Sequence, residues 1–150
     1  MMNQSGDKAG LEARLLTLRI LWAALLSTVG VYVLIAVMVR PSADALAERG
    51  RDNPTLLLAL VAAGLSTVAV SFVLKRRFYA RAAELSDPSK LQQGFIIAVV
   101  LCEMCVLFGL LGLFATWNDY AYILFALGAL GIALHFPRRE EVAAAYYKRQ

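Results

Sequence analysis

Glu103 is the residue in this sequence best placed to do chemistry, because it lies near the middle of an otherwise uncharged apolar run, residues 94–116. A charged residue at the centre of a membrane-spanning helix costs roughly 2.5 to 3.5 kcal/mol on insertion scales, so it is expected to have a function. No basic residue lies at a comparable depth in any apolar run, and an unpaired buried carboxyl group favours its neutral form. The sequence therefore predicts a protonatable group, or an interhelical hydrogen bond.

Other residues that could carry chemistry are interpreted as structural. Cys102 and Cys105 have the Cys-x-x-Cys spacing, but the surrounding apolar run supplies no further ligand, so we expect packing rather than redox or metal chemistry. His135 is the only histidine, and we expect it to be solvated at the membrane interface. The sequence has no Ser/His/Asp arrangement, phosphate-binding loop or paired carboxylates. We therefore expect no catalytic residues, no metal site, no enzyme activity and no cofactor beyond a bound H+ or Na+.

The elements that must position Glu103 are helices that cross a bilayer. With 60% hydrophobic and 17% charged residues among 150, the chain is too apolar for a soluble domain of this size. Four apolar runs stand out, at residues 20–39, 55–74, 94–116 and 120–136. The first three reach the ~20 residues that cross a hydrocarbon core, and the fourth is short for that purpose. We predict an all-α fold, a four-helix polytopic transmembrane bundle that forms one integral membrane domain over residues 1–150.

The segments between these runs complete the predicted architecture. The first run is longer than the roughly 7 to 15 apolar residues of a signal peptide, so we expect a retained first helix. A short amphipathic turn is expected at residues 43–49, and the second helix is expected to continue past its apolar run to about Ala83. Only a few residues, 117–119, join the third and fourth runs, which makes them antiparallel neighbours. Residues 138–150 are predicted to form a short surface helix.

The distribution of basic residues predicts the orientation. Twelve of the 15 Lys and Arg residues lie in the N-terminal segment, the second connection and the C-terminal tail, and only Arg40, Arg49 and Arg51 lie in the other connections. With four crossings those three segments share one side, and the positive-inside rule places them in the cytoplasm. We therefore predict a multi-pass protein of the cell (inner) membrane with both termini inside. The net charge of +4 reflects this asymmetry; it indicates contact with membrane lipid, and no nucleic-acid partner is expected.

Small residues recur at helical spacing on the second and third predicted helices. The third carries Gly94, Ala98, Cys102, Cys105, Gly109 and Gly112, and the second carries Ala59, Ala62, Ser66 and Ala69. Small residues let transmembrane helices approach closely, since lipid supplies no hydrophobic drive for their association. We expect these two helices to pack as a hairpin through the two stripes. Their midpoints then coincide, so Ser66 or Thr67 is predicted to hydrogen-bond Glu103.

The segment 90–114, KLQQGFIIAVVLCEMCVLFGLLGLF, is similar without gaps to the carboxylate helix of rotary ATP synthase c subunits, the proteolipids. The shared pattern is a basic residue, an apolar entry, a glutamate and then aromatic-Gly-Leu, and the likeness extends over about residues 59–114. The resemblance implies that Glu103 binds a proton or a sodium ion and that hairpins assemble into a ring. The chain differs from that family in carrying a further apolar run directly after the third.

Three functions follow from these observations. The first is a small membrane protein that self-associates as a homo-oligomer, or serves as a subunit of a larger membrane complex, through its small-residue helix faces, with Glu103 as a protonatable site. The second is a c-subunit-like proteolipid that binds H+ or Na+ for ion translocation. The third is a small proton-coupled antiporter, a class that also has four short helices and one membrane carboxylate but places that carboxylate in the first helix.

Overall fold

Helices make up nearly all of the part of the chain that the computed structural model describes, which is residues 4–40, 53–85 and 87–146. They are α1 (Gln4–Met38), α2 (Pro54–Leu85), α3 (Pro88–Thr116), α4 (Tyr122–Leu134) and α5 (Arg139–Tyr146), with a 3-10 turn at Asp119–Ala121 before α4. Within these ranges there is no strand, so the all-α prediction is confirmed. The amphipathic turn expected at residues 43–49 lies outside the described residues.

Three of the helices, α1, α2 and α3, are long and apolar enough to cross a bilayer. The prediction of a multi-pass membrane protein is confirmed to that extent. The fourth apolar helix is shorter than its run, since α4 has 13 residues and rises only about 20 Å at 1.5 Å per residue. The helix ends at Leu134 because Pro137 follows closely, and a proline disfavours the helical conformation in the residue before it, here Phe136.

Local sequence signals set the limits of α3. Asp87 caps its beginning, where the carboxylate accepts a hydrogen bond from the Ser89 backbone N–H at 2.9 Å. Hydrogen bonds from Ser89 lower the pKa of Asp87. At the other end Trp117 adopts a left-handed conformation with φ of 52°, and its N–H donates to the Leu113 carbonyl at 2.7 Å. This close turn returns the chain directly into α4, as the short 117–119 connection predicts.

The bundle has two distinct ends. At one end, which we call the basic end, the start of α1, the end of α2, the start of α3 and helix α5 meet. Arg139 there pairs with Glu12 at 2.9 Å, and Lys75 pairs with Glu141 at 3.1 Å. At the opposite end, which we call the turn end, Arg40 pairs with Asp119 at 3.0 Å. Helices α2, α3 and α4 pack closely together, while α1 lies against α3 and α4 from outside.

Candidate functional site

Glu103 lies half-buried on the side of α3 that faces α1. The Thr28 hydroxyl lies 2.8 Å from Glu103 Oε1, and the Tyr32 hydroxyl lies 3.4 Å from the same oxygen. Residues four apart share one face of a helix, so α1 presents both hydroxyl groups to the carboxyl group together. The candidate site is therefore a carboxyl group between two membrane helices with two hydroxyl groups as partners.

The Thr28 hydroxyl lies within hydrogen-bond distance of two acceptor oxygens. Thr28 Oγ1 lies 2.7 Å from the Leu25 carbonyl oxygen and 2.8 Å from Glu103 Oε1. A hydroxyl group has one hydrogen to donate, and a carbonyl oxygen can only accept. Thr28 therefore donates either to its own helix or to Glu103, and the Tyr32 hydroxyl donates to the same carboxyl oxygen of Glu103.

The predicted hydrogen bond from Ser66 or Thr67 to Glu103 is not formed in the structure. The Ser66 hydroxyl donates to the Ala62 carbonyl at 2.7 Å, and the Thr67 hydroxyl donates to the Gly64 carbonyl at 2.8 Å. Both partners belong to the residues' own helix, and Ser66 faces outward. Glu103 faces α1 instead, because α2 approaches α3 from another side.

The two predicted small-residue stripes have different surroundings. All six residues of the α3 stripe are buried inside the protein: Gly94, Ala98, Cys102, Cys105, Gly109 and Gly112. All four residues of the α2 stripe face outward: Ala59, Ala62, Ser66 and Ala69. The expectation that the α2 stripe packs on α3 is thus corrected.

A different face of α2 meets α3. Its buried residues include Leu57, Leu60, Gly64 and Ser71. Gly64 lies against Cys105 and Leu124, so a Cβ atom there would be 2.9 Å from the Cys105 Sγ. The two faces of α2 have similar three- and four-residue spacing but are offset by two residues, or about 200° around the helix. Spacing alone therefore did not distinguish them.

The two cysteines and His135 form buried contacts next to the carboxyl site. Cys102 Sγ lies 3.3 Å from the Ser71 hydroxyl, and the Cys105 thiol donates to the Leu124 carbonyl at 3.6 Å. His135 is fully buried, with Nδ1 2.6 Å from the Gly131 carbonyl and Nε2 3.5 Å from Ser71 Oγ. The prediction of a solvated His135 is wrong, because the chain turns at Pro137 and α5 folds back over this end.

This cluster does not form a metal centre. No group of three His, Cys, Asp or Glu side chains within the described residues could hold a metal ion. The histidine ring instead packs against Phe72 with ring centroids 4.4 Å apart. The contacts of the cluster are those of a helix interface in which each polar atom finds a neighbour.

The two α1 hydroxyl groups were not predicted as partners of Glu103, although the sequence carries a signal for them. Thr28 and Tyr32 are polar side chains near the middle of the first apolar run, at one helical turn from each other. Glu103 is near the middle of its own run, and polar groups at equal depth in a bilayer are the natural partners of one another. Equal depth along the two helices is thus the sequence signal that points to Thr28 and Tyr32.

Fold and composition together define the class as a multi-pass membrane protein with a half-buried carboxyl group between two helices. Comparison with protein-family models, with curated proteins and with solved structures finds no match for this chain. The similarity of residues 59–114 to proteolipids therefore stays a prediction from the sequence.

Proposed function

We propose that this chain is a self-associating membrane protein, or a subunit of a larger membrane complex, whose outward α2 stripe packs on another helix and whose Glu103 is a protonatable site. The observation that carries the proposal is the position of the stripe. The small residues of α3 are already used inside the chain, whereas Ala59, Ala62, Ser66 and Ala69 face outward. Small residues on an outward face allow close approach of a second transmembrane helix.

The proposed topology has four crossings with both termini in the cytoplasm. The chain passes from the turn end, where Asp119 pairs with Arg40, to the basic end, where Glu141 pairs with Lys75. Helix α4 connects these two ends, so if α3 crosses the membrane, the segment containing α4 returns across it. The basic residues gathered at one end then favour the cytoplasmic side for that end.

Self-association is tested by enlarging the α2 stripe. We expect Ala62→Leu, combined with Ser66→Leu, to weaken self-association in mild detergent by at least about tenfold, because the added side chains keep the two backbones apart. Light scattering coupled to size-exclusion chromatography measures the oligomeric state. The matched control is Ala24→Leu on α1, which also faces outward and is expected to change nothing. A wild-type chain that is monomeric at all accessible concentrations contradicts self-association.

Protonation of Glu103 is tested with a lipophilic carbodiimide, which reacts with neutral carboxyl groups in membranes. We expect labelling of Glu103 at neutral pH, and its loss in Glu103→Gln, detected by the mass of the peptide. The position of Glu103 near the middle of an apolar helix supports this expectation, because apolar surroundings disfavour a charged carboxylate. Absence of labelling at neutral and mildly acidic pH contradicts a protonatable site.

The same labelling experiment distinguishes the proteolipid-like alternative from a carboxyl group that only stabilises the helix interface. A carboxyl group with two hydroxyl neighbours offers oxygen ligands, which hard cations prefer. Protection of Glu103 from labelling by sodium, but not by potassium, favours ion binding for translocation. Labelling that no cation changes favours a carboxyl group that serves the helix interface.

A further inference from the structure

A cavity opens at the basic end, between the end of α2 and the segment that joins α4 to α5. Its volume is about 390 Å³. Three of the residues that line it are cationic, Lys75, Arg76 and Arg138, and three are apolar, Phe72, Leu134 and Phe136. The cavity is therefore amphipathic, with basic groups and an apolar wall side by side.

The cationic groups are only partly neutralised within the protein. Lys75 is largely buried and pairs with Glu141 at 3.1 Å, and Glu141 is the only acidic residue in the lining. Among the described residues, neither Arg76 nor Arg138 has an ion pair. Three cations and one carboxylate leave a net charge of +2 in the lining, so the cavity attracts an anion.

Tyr79 contributes a further polar group to the cavity wall. Its ring lies 5.0 Å from the Lys75 ammonium group. Its hydroxyl is buried and has no hydrogen-bond partner among the described residues. A buried hydroxyl without a partner is costly, so the polar groups around this cavity are not fully satisfied within the protein.

The depth of the cavity indicates what kind of anion it takes. The cavity lies where the apolar run of α2 gives way to Lys75 and just beyond the end of α4. For helices that span a bilayer, this level is the boundary between the hydrocarbon core and the lipid headgroups. Leu134 and Phe136, in the apolar wall, are 61% and 40% exposed on the outside of the protein. An acyl chain can lie along them while its headgroup reaches the arginines.

We propose that this cavity binds the headgroup of an anionic phospholipid, with Arg76 and Arg138 holding the phosphate. Guanidinium groups bind phosphate oxygens through paired, charge-assisted hydrogen bonds. A soluble phosphate would satisfy the same groups, but it would not cover the exposed surface of Leu134 and Phe136. The site is independent of Glu103 and of the α2 stripe.

Lipid selectivity measured by native mass spectrometry tests the site. Protein in a neutral detergent is titrated with phosphatidylglycerol and, separately, with phosphatidylcholine of the same acyl chains. We expect bound phosphatidylglycerol at concentrations where phosphatidylcholine is absent. The variant Arg76→Gln with Arg138→Gln should lose more than about tenfold in affinity for phosphatidylglycerol, because it removes the charge-assisted hydrogen bonds to the phosphate.

The matched control removes two charges from the same end but not from the cavity. Arg77 and Arg81 are exposed residues of α2 that do not line it, and Arg77→Gln with Arg81→Gln should change the affinity less than about threefold. Equal losses in the two double variants would overturn the proposal, because they would show diffuse attraction to a basic surface. Inorganic phosphate that displaces the lipid at equal concentration would also overturn it, in favour of a soluble anion.

All four arginines are exposed, so the variants should fold like the wild type. Circular dichroism of each variant in the same detergent checks this directly. If a variant lost helicity, the lysine replacements Arg76→Lys and Arg138→Lys would take its place. They keep the charge but not the paired hydrogen bonds, and weaker binding of the phosphate is again the expected result.

Discussion

Helix α1 and the group formed by α2, α3 and α4 are held in the bundle by different interactions. In the most apolar 18-residue window of α3, 44% of the residues are buried inside the protein, against 11% in α1. Within the group, glycines bring backbones into contact: a Cβ atom on Gly128 would collide with the Val106 side chain and lie 2.8 Å from the Cys102 carbonyl oxygen. On α1, by contrast, a Cβ atom on Gly30 would have nothing within 4 Å.

Polar contacts at three levels attach α1 to the group. Near the basic end, the Trp22 indole N–H donates to the Ile132 carbonyl at 2.8 Å. Glu103 lies at the middle level, and the pair of Arg40 and Asp119 is at the turn end. Because lipid is as apolar as the side chains, apolar surface alone gives no drive for helix association. Close packing at glycines thus holds the group together, whereas α1 docks through apolar side chains such as Leu15, Val29 and Ala36 together with these polar contacts.

The largest effect on stability is expected from a methyl group added where α3 and α4 pack together. Gly128→Ala should lower the free energy of unfolding by about 1 to 3 kcal/mol, because the new Cβ meets a backbone oxygen that cannot rotate away. Denaturation with SDS in mixed micelles, followed by circular dichroism, measures this change.

The matched substitution on α1 has the opposite expected sign. Gly30→Ala adds the same methyl group in open space, where alanine stabilises a helix over glycine by up to about 1 kcal/mol. Equal destabilisation by both changes would refute the distinction between the two regions.

The sequence predicted the helices better than the faces through which they pack. Runs of about 20 apolar residues and the turn at 117–119 identified α1, α2, α3 and the return into α4, since chain length and hydrophobicity act locally. The packing partner of α2 depends on which of two similar faces meets α3, and that choice is made by tertiary contacts such as Gly64 against Cys105.

The candidate site was predicted in part for the same reason. Glu103 was found because a carboxylate in an apolar run is unusual whatever surrounds it. Its partners Thr28 and Tyr32 were not found, since their role depends on the rotation of α1 relative to α3. The burial of His135 likewise follows from the fold of the chain beyond Pro137, which no local pattern indicates.

A moderate effect is expected from removing the hydroxyl group that contacts Glu103. Thr28→Val should cost about 0.6 kcal/mol, and up to about 1.7, as measured for hydrogen bonds between membrane helices. Thr17→Val is the matched control, since its hydroxyl bonds only the Ala13 carbonyl of its own helix. SDS denaturation of both variants should show a loss for Thr28 alone.

A double variant measures the energetic coupling between Thr28 and Glu103. In a Glu103→Leu background no carboxyl group remains to contact Thr28, so the cost of Thr28→Val should disappear. A cost that persists unchanged there would mean that Thr28 stabilises α1 by itself and that α1 does not depend on the carboxyl site.

The smallest effect is expected at the turn end, where α1 is attached by an exposed ion pair. The side chains of Arg40 and Asp119 are 51% and 67% exposed, and such pairs contribute between about 0 and 1 kcal/mol. Asp119→Asn should therefore change the free energy of unfolding by less than about 0.5 kcal/mol in dilute buffer. In about 1 M salt the screening length falls to about 3 Å, so wild type and variant should become indistinguishable. A difference that survives high salt would show that the contact is a structural hydrogen bond, and that α1 is fixed at the turn end as firmly as at Glu103.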